Sequence, residues 1–148
     1  TTMGARVVLS GPPTLIPLDF IAEKRHIDGH PFANIQIENN VDRALEDADV
    51  VMPLRLQLER QKTALLPTLR EYSRLYGINS KRMKLAKRDA LVMHPGPMNE
   101  GVEIDSEVAH GARSVIEEQV TNGVGIRMAV LFGVNTPLRH KRSTKAYR

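Results

Sequence analysis

Short apolar runs alternate with helical periodicities along most of this chain. Residues 6–10 predict a first strand that enters a Gly11-Pro12-Pro13 turn, and residues 34–38 a second, with Ile35 and Ile37 on one face. Residues 15–24 predict a loop with a short helix, and residues 26–31 a loop. Residues 41–46 suit a short helix capped by Asn40, and residues 49–52 a third strand. Leu69, Tyr72 and Leu75 or Tyr76 recur at helical spacing, which predicts a helix over 67–76 ended by Gly77. Ser80 is placed to cap a helix over 81–87, ahead of a strand at 90–93. Ser114-Val115-Ile116-Glu117 has the form of a capping box. After it, Ile116, Val120, Val124, Met128 and Leu131 mark one face of a long helix interrupted by Gly123 and Gly125. Strands separated by helices predict an α/β fold, a doubly wound, mostly parallel sheet flanked by helices.

Two strand ends carry candidate chemistry. The run Ala90-Leu91-Val92 leads into Met93-His94-Pro95-Gly96-Pro97-Met98-Asn99. Each proline fixes φ and lacks an N–H, and restricts the residue before it to extended backbone. The turn is therefore stiff and rich in free carbonyls, a shelf suited to a ligand that brings its own N–H groups. The same residues also make an ordinary Pro-Gly turn. The second strand end is Asp49-Val50-Val51-Met52-Pro53-Leu54-Arg55-Leu56-Gln57-Leu58-Glu59-Arg60. On extended backbone Arg55 and Gln57 share a face. A guanidinium beside a carboxamide can then hold a carboxylate and a neighbouring polar group. On a helix the two would diverge and be an ordinary solvated feature. In open α/β sheets ligands bind at the carboxyl ends of strands, where both segments fall.

Together these stretches resemble the aspartate carbamoyltransferases, which condense carbamoyl phosphate with L-aspartate. The pieces Gly4 to Pro17, Ala44 to Met52, and Gln119 to Val124 running on to Leu131 fit in the same order. The resemblance covers Met3 to Phe132. It implies that Arg55 pairs with a carboxylate of aspartate and that Gln57 orients the same ligand. It implies that the carbonyls of Pro95 and Gly96, with Pro97 shaping the turn, accept from the amino groups of carbamoyl phosphate and of the incoming amine. Glu59 and Arg60 match a segment that locks two domains together on closure. Catalysis by approximation follows, with no metal, covalent nucleophile or cofactor, and no catalytic side chain within this half. The family's carbamoyl phosphate domain, with its Ser-Thr-Arg-Thr-Arg loop, has no counterpart in the sequence. The chain is thus expected to be the aspartate-binding half of a longer, cytoplasmic, homotrimeric enzyme of pyrimidine synthesis, partnered by an N-terminal domain and silent alone.

Two departures from the pattern bear on this. The family's turn more often reads Met-Asn-Arg-Gly, where this chain has Met98-Asn99-Glu100-Gly101, and an acid facing two anionic substrates would weaken binding. The family's other aspartate-binding arginine has no match, and Arg6 belongs to a strand. Ornithine carbamoyltransferases share the plan but usually carry Cys where this turn has Gly96. A non-catalytic binding or structural module derived from a carbamoyltransferase is the alternative from another class.

Composition narrows the field further. At 148 residues, 41% hydrophobic and 26% charged, one globular core is the expectation. No apolar run approaches the roughly 20 residues of a membrane span. No secretory segment is visible in the first residues, and the absence of cysteine removes disulfide and thiolate chemistry. The net charge of +4 resides in Arg139 to Arg148, which holds five basic residues and no acid. With aromatics at only 4%, this is not the interleaved basic face of a nucleic-acid module. Residues 1–134 are expected to form the domain and residues 135–148 a disordered basic tail. His26, His30, His110 and His140 lack paired metal-ligand spacing. His94 can orient the shelf or make a structural hydrogen bond. Asp47 and Asp49 suit a helix end and a strand entry.

Overall fold

Clustered Val, Ile and Leu favour pleated backbone, and the strands form where these residues cluster. The computed structural model describes residues 4–17, 20, 35–57 and 68–136. β1 (Val7–Leu9) and β2 (Ile35–Ile37) run parallel, with Val8 opposite Gln36. β3 (Val50–Val51) and β4 (Leu91–Val92) make a second parallel pair, with Val50 opposite Leu91 and Val51 opposite Val92. Parallel partners require crossovers, and a helix falls in the one that joins β3 to β4. α1 (Val41–Leu45) lies between β2 and β3, and α2 (Leu69–Tyr76) between β3 and β4. α3 (Ser106–Ala109) and α4 (Ile116–Asn135) complete the chain's described elements. This is the parallel α/β arrangement that the alternation predicts.

β4 is flanked on both sides. The Leu91 and Met93 N–H groups donate to the Asp49 and Val51 carbonyls, both at 3.0 Å, while the Val92 N–H donates the other way to Arg113 at 2.9 Å. Val115 N–H returns to the Val92 carbonyl at 2.9 Å. Residues 113–115 therefore act as a further parallel rung. The buried set Val41, Leu45, Val51, Ile78, Met83, Ala86, Ala90, Val92, Ile104, Val108 and Ile116 packs around this sheet. Each contributes about 1.5–3 kcal/mol if a large aliphatic side chain is fully removed from water.

Several local expectations change. Asn40 caps α1 as expected, its Oδ1 accepting from Asp42 and Arg43 N–H at 3.0 and 3.3 Å. Gly77 ends α2, but with φ −60° rather than in the left-handed region. Glycine is required there by proximity, because a Cβ would stand 2.5 Å from the Ser73 carbonyl oxygen and 2.9 Å from that of Val102. The helix expected over 81–87 is a single 3-10 turn, Arg82–Lys84. Asn79, not Ser80, serves it, Oδ1 accepting from Arg82 N–H at 2.9 Å. The capping box does not form: α4 starts at Ile116 with no side-chain cap. α3 has no counterpart among the expected elements. The loop expected over 26–31, residues 18, 19 and 21–24 of the segment 15–24, and the tail from 137 onward lie outside the described residues.

Candidate functional site

The register of β3 with β4 determines what can meet. Because the strands are parallel and Val51 stands opposite Val92, both chains leave the sheet at one edge. Past Pro53 the backbone is neither helix nor turn. Leu56 is buried between half-buried Arg55 and exposed Gln57, whereas Leu54, two residues before it, is exposed. Past β4, Pro95, Gly96 and Pro97 are all exposed. Asn99 Nδ2 donates to the Leu56 carbonyl at 3.5 Å, tying the second segment to the residue between Arg55 and Gln57. Both segments thus leave the same end of the β3–β4 pair, and Arg55 and Gln57 flank the residue whose carbonyl Asn99 reaches. Glu59 and Arg60 lie outside the described residues.

The turn's own donors are drawn inward. His94 N–H donates to Gln119 Oε1 at 2.8 Å, Gly96 N–H to His94 Nδ1 at 2.9 Å, and Asn99 N–H to Glu103 Oε1 at 2.6 Å. Pro95 and Pro97 have no N–H to offer. No donor among the described residues reaches the Pro95 or Gly96 carbonyl. The Pro95 and Gly96 carbonyls are left as acceptors among the described residues, and Met98 N–H is the turn donor without a partner among them. Gly96 has φ +66°, a conformation that costs a side-chain-bearing residue about 1–3 kcal/mol.

Beneath the turn lies a polar pair that the sequence did not single out as such. His94 is completely buried and Glu103 is 1% exposed. Because His94 Nδ1 accepts from Gly96, the ring proton is assigned to Nε2. Nε2 stands 3.3 Å from Glu103 Oε1, an attractive separation outside hydrogen-bond geometry. Glu103 also faces α2. Burial, then the charge of Glu103 and a smaller effect of Tyr76, push the Tyr72 hydroxyl up to about 12. Tyr72 therefore stays protonated beside the carboxylate. The only sequence signal for Glu103 is an acid set between Val102 and Ile104 in an apolar stretch.

Glu100, the acid that threatened the site, is engaged elsewhere. His110 Nε2 lies 3.1 Å from Glu100 Oε1. The Ser106 hydroxyl, and next the His110 ring, hold the Glu100 carboxyl below its ordinary range. Its charge is directed at α3. Asp49 pairs with Lys87 at 2.6 Å, and Asp47 closes α1 at φ 57°, so neither joins a carboxylate dyad. Among the described residues no group of three or more His, Cys, Asp or Glu side chains is disposed to hold a metal ion. Among them, no helix is long and apolar enough to cross a membrane.

The family model for the aspartate/ornithine carbamoyltransferase Asp/Orn-binding domain matches residues 1–134. The chain belongs to that family. It is 54% identical over 132 residues to the aspartate carbamoyltransferase catalytic subunit of Ruminiclostridium cellulolyticum, covering 89% of this chain and 39% of the relative. It is 55% identical over 132 residues to the same subunit of Natranaerobius thermophilus, with the same coverage. The chain thus spans about 39% of the length of these curated relatives. Among solved structures it resembles aspartate transcarbamoylase from Trypanosoma cruzi in complex with carbamoyl phosphate, with TM-score 0.68, 30% identity, and coverage of 85% of this chain and 39% of that one. A mitochondrial ornithine carbamoyltransferase from Coccidioides immitis shares the fold, with TM-score 0.69 at 22% identity over 90% of this chain and 41% of that one. Carbamoyltransferase neighbours and parallel strands agree on the α/β class.

Proposed function

We propose that this carbamoyltransferase domain holds L-aspartate for carbamoylation by carbamoyl phosphate, giving N-carbamoyl-L-aspartate and phosphate in de novo pyrimidine biosynthesis. The parallel β3–β4 register carries the proposal, because it delivers a cation–carboxamide pair and a carbonyl shelf to one strand edge. The names of the relatives at 54–55% identity favour aspartate over ornithine. The T. cruzi relative has been solved with carbamoyl aspartate and phosphate. Arg55 takes a carboxylate of aspartate and Gln57 orients it. The Pro95 and Gly96 carbonyls accept from the ligand amino groups, and Pro97 shapes the turn. Glu59 and Arg60 act in closure against a carbamoyl phosphate-binding N-terminal domain.

The reaction these groups serve is acyl transfer. The aspartate amine lone pair forms a bond to the carbamoyl carbon, the bond from that carbon to the phosphate oxygen breaks, and the amine's proton passes to the departing phosphate. Carbonyl acceptors facing the amine favour its approach with the lone pair directed at carbon. Holding both reactants in line can supply about 7–11 kcal/mol of the barrier. Residues 1–134 are the binding domain, and the parent works as a cytoplasmic homotrimer. A carbamoylation assay on the parent protein tests the proposal: carbamoyl-aspartate is expected, and product from ornithine with none from aspartate overturns it.

A further inference from the structure

His94 and Glu103 do work that their burial alone does not explain. Both are shut away from water beneath an exposed turn, and neither touches the face that a ligand would meet. Each instead accepts one N–H of the turn, His94 from Gly96 and Glu103 from Asn99. These two N–H groups stand on either side of Pro97, which has none. Gln119 secures the entry to the turn at His94 N–H. The Gly96 and Asn99 N–H groups are thus held by buried side chains, Met98 N–H between them has no partner among the described residues, and the Pro95 and Gly96 carbonyls accept from no described donor.

The pair is costly as a source of stability. Glu103 Oε2 is buried with no hydrogen-bond partner among the described residues, and His94 Nε2 is likewise unmatched. An unsatisfied buried acceptor destabilises a fold, and well-packed apolar residues in its place are often neutral or better. What an apolar pair cannot do is hold the Gly96 N–H inward. Released, that N–H can turn toward the ligand face, where a donor would oppose the ligand's own N–H groups.

We infer that His94 and Glu103 are positioning residues for carbamoyl transfer: through the Gly96 and Asn99 N–H groups they aim the Pro95 and Gly96 carbonyls at the reacting amines. The inference rests on the proposed function for its chemistry, but its structural half stands apart from it. Two substitutions separate positioning from simple packing. His94→Phe fills the ring volume and removes the acceptor. His94→Asn keeps an acceptor, its Oδ1 near the place of Nδ1, but leaves a void. Stability should therefore favour Phe, whereas aiming should favour Asn.

The test measures kcat and KM on the parent protein, with thermal melting of each variant. His94→Phe is expected to lower kcat about 100-fold, the effect of roughly 1 Å of misplacement, with little change in KM for aspartate. His94→Asn, the less stable of the two, should stay within about tenfold of the wild type, since the aligned geometry is largely retained. Glu103→Gln, which preserves the acceptor for Asn99, should exceed Glu103→Leu in kcat. Activity that instead ranks with melting temperature overturns the inference. A second readout on the 148-residue chain needs no substrate. In ¹⁵N spectra, the Gly96 amide should shift and exchange faster in His94→Phe and stay near its place in His94→Asn. A Gly96 amide indifferent to His94→Phe overturns the inference as well. A wild-type parent that carbamoylates ornithine instead overturns the proposed function, and the amide arm still decides the positioning role.

Discussion

Single residues show how much a side chain's role depends on contacts remote in sequence. Arg82 stands in a polar run, and nothing near it foretells what it does. Its Nε donates to Asp42 Oδ1 at 2.8 Å, and its two terminal nitrogens donate to the Gly77 and Leu75 carbonyls at 2.7 and 2.8 Å. It thereby ties α1 to the open C-terminal end of α2, where a cation is favoured. Arg82→Ala should cost about 2–3 kcal/mol, since three charge-assisted bonds are lost and carbonyls are left bare. Arg82→Lys should recover only part, because a point charge cannot make the fork. Urea unfolding measures both. Glu100 gives a pH prediction. Its carboxyl is depressed in the folded state, so its stabilising effect is full above the ordinary carboxylate range and fades as the pH falls through the lower folded value. The melting temperature of Glu100→Gln should lie below that of the wild type at neutral pH and converge with it in acid. A difference that persists once the carboxyl is protonated would mean that shape, not charge, is what His110 and Ser106 read. That Arg55 and Gln57 follow β3 on non-helical backbone was legible, because Pro53 is a local signal that ends the strand. His94 with Glu103 was not, since a turn of unknown shape separates them.

At the scale of elements, the sequence foretold existence better than ends. Two misplaced ends share one cause: tertiary hydrogen bonds outcompeted local ones. Ser114 Oγ accepts from Ile116 N–H at 3.4 Å, but Val115 N–H bonds to Val92. That bond holds residues 113–115 along the sheet, and α4 must wait until Ile116. The helix expected over 81–87 stops after one turn because Lys87 N–H goes to the Ala48 carbonyl. Arg113 meanwhile takes the Met83 carbonyl at 3.1 Å and the Lys87 carbonyl at 3.3 Å. Gly77 ends α2 through crowding, which no propensity scale encodes. Gly77→Ala should therefore destabilise by at least about 1–3 kcal/mol, as overpacking against fixed backbone does. Gly125 makes the opposite case. It lies inside α4 with nothing within 4 Å of a built Cβ, and Gly125→Ala should add about 0.5–1 kcal/mol to helix stability. Circular dichroism through a thermal ramp distinguishes the two.

Across the whole molecule, α4 stands out. Only Ile116 of its 20 residues is buried, and Ile126, Met128, Leu131, Phe132 and Val134 are all more than 60% exposed. A helix with this much apolar surface is ordinarily an interior element. The stripe from Ile116 to Leu131 was legible in the sequence, but a stripe cannot say what covers it. The relatives supply an argument, since this chain accounts for only 39% of their length. On the proposed function, the remaining part of such a subunit covers α4 and brings the carbamoyl phosphate with it. The 148 residues by themselves should then behave in two linked ways. The bare helix should drive concentration-dependent association, which Phe132→Ser with Val134→Ser should relieve in sedimentation experiments. The chain should also make no carbamoyl-aspartate, because only one reactant has its holders. Losing the alignment of two reactants forfeits about 7–11 kcal/mol of barrier lowering, many decades in rate. Aspartate alone should bind no better than about millimolar, as two polar groups on an open wet edge leave little surplus over the entropy of association. Arg55→Ala should abolish that binding in calorimetry. Supplying the rest of the parent in trans should restore turnover in the wild type and in Gly125→Ala, but not in Arg55→Ala. Turnover by the purified 148-residue chain alone would show that the phosphate is held by residues at this same edge.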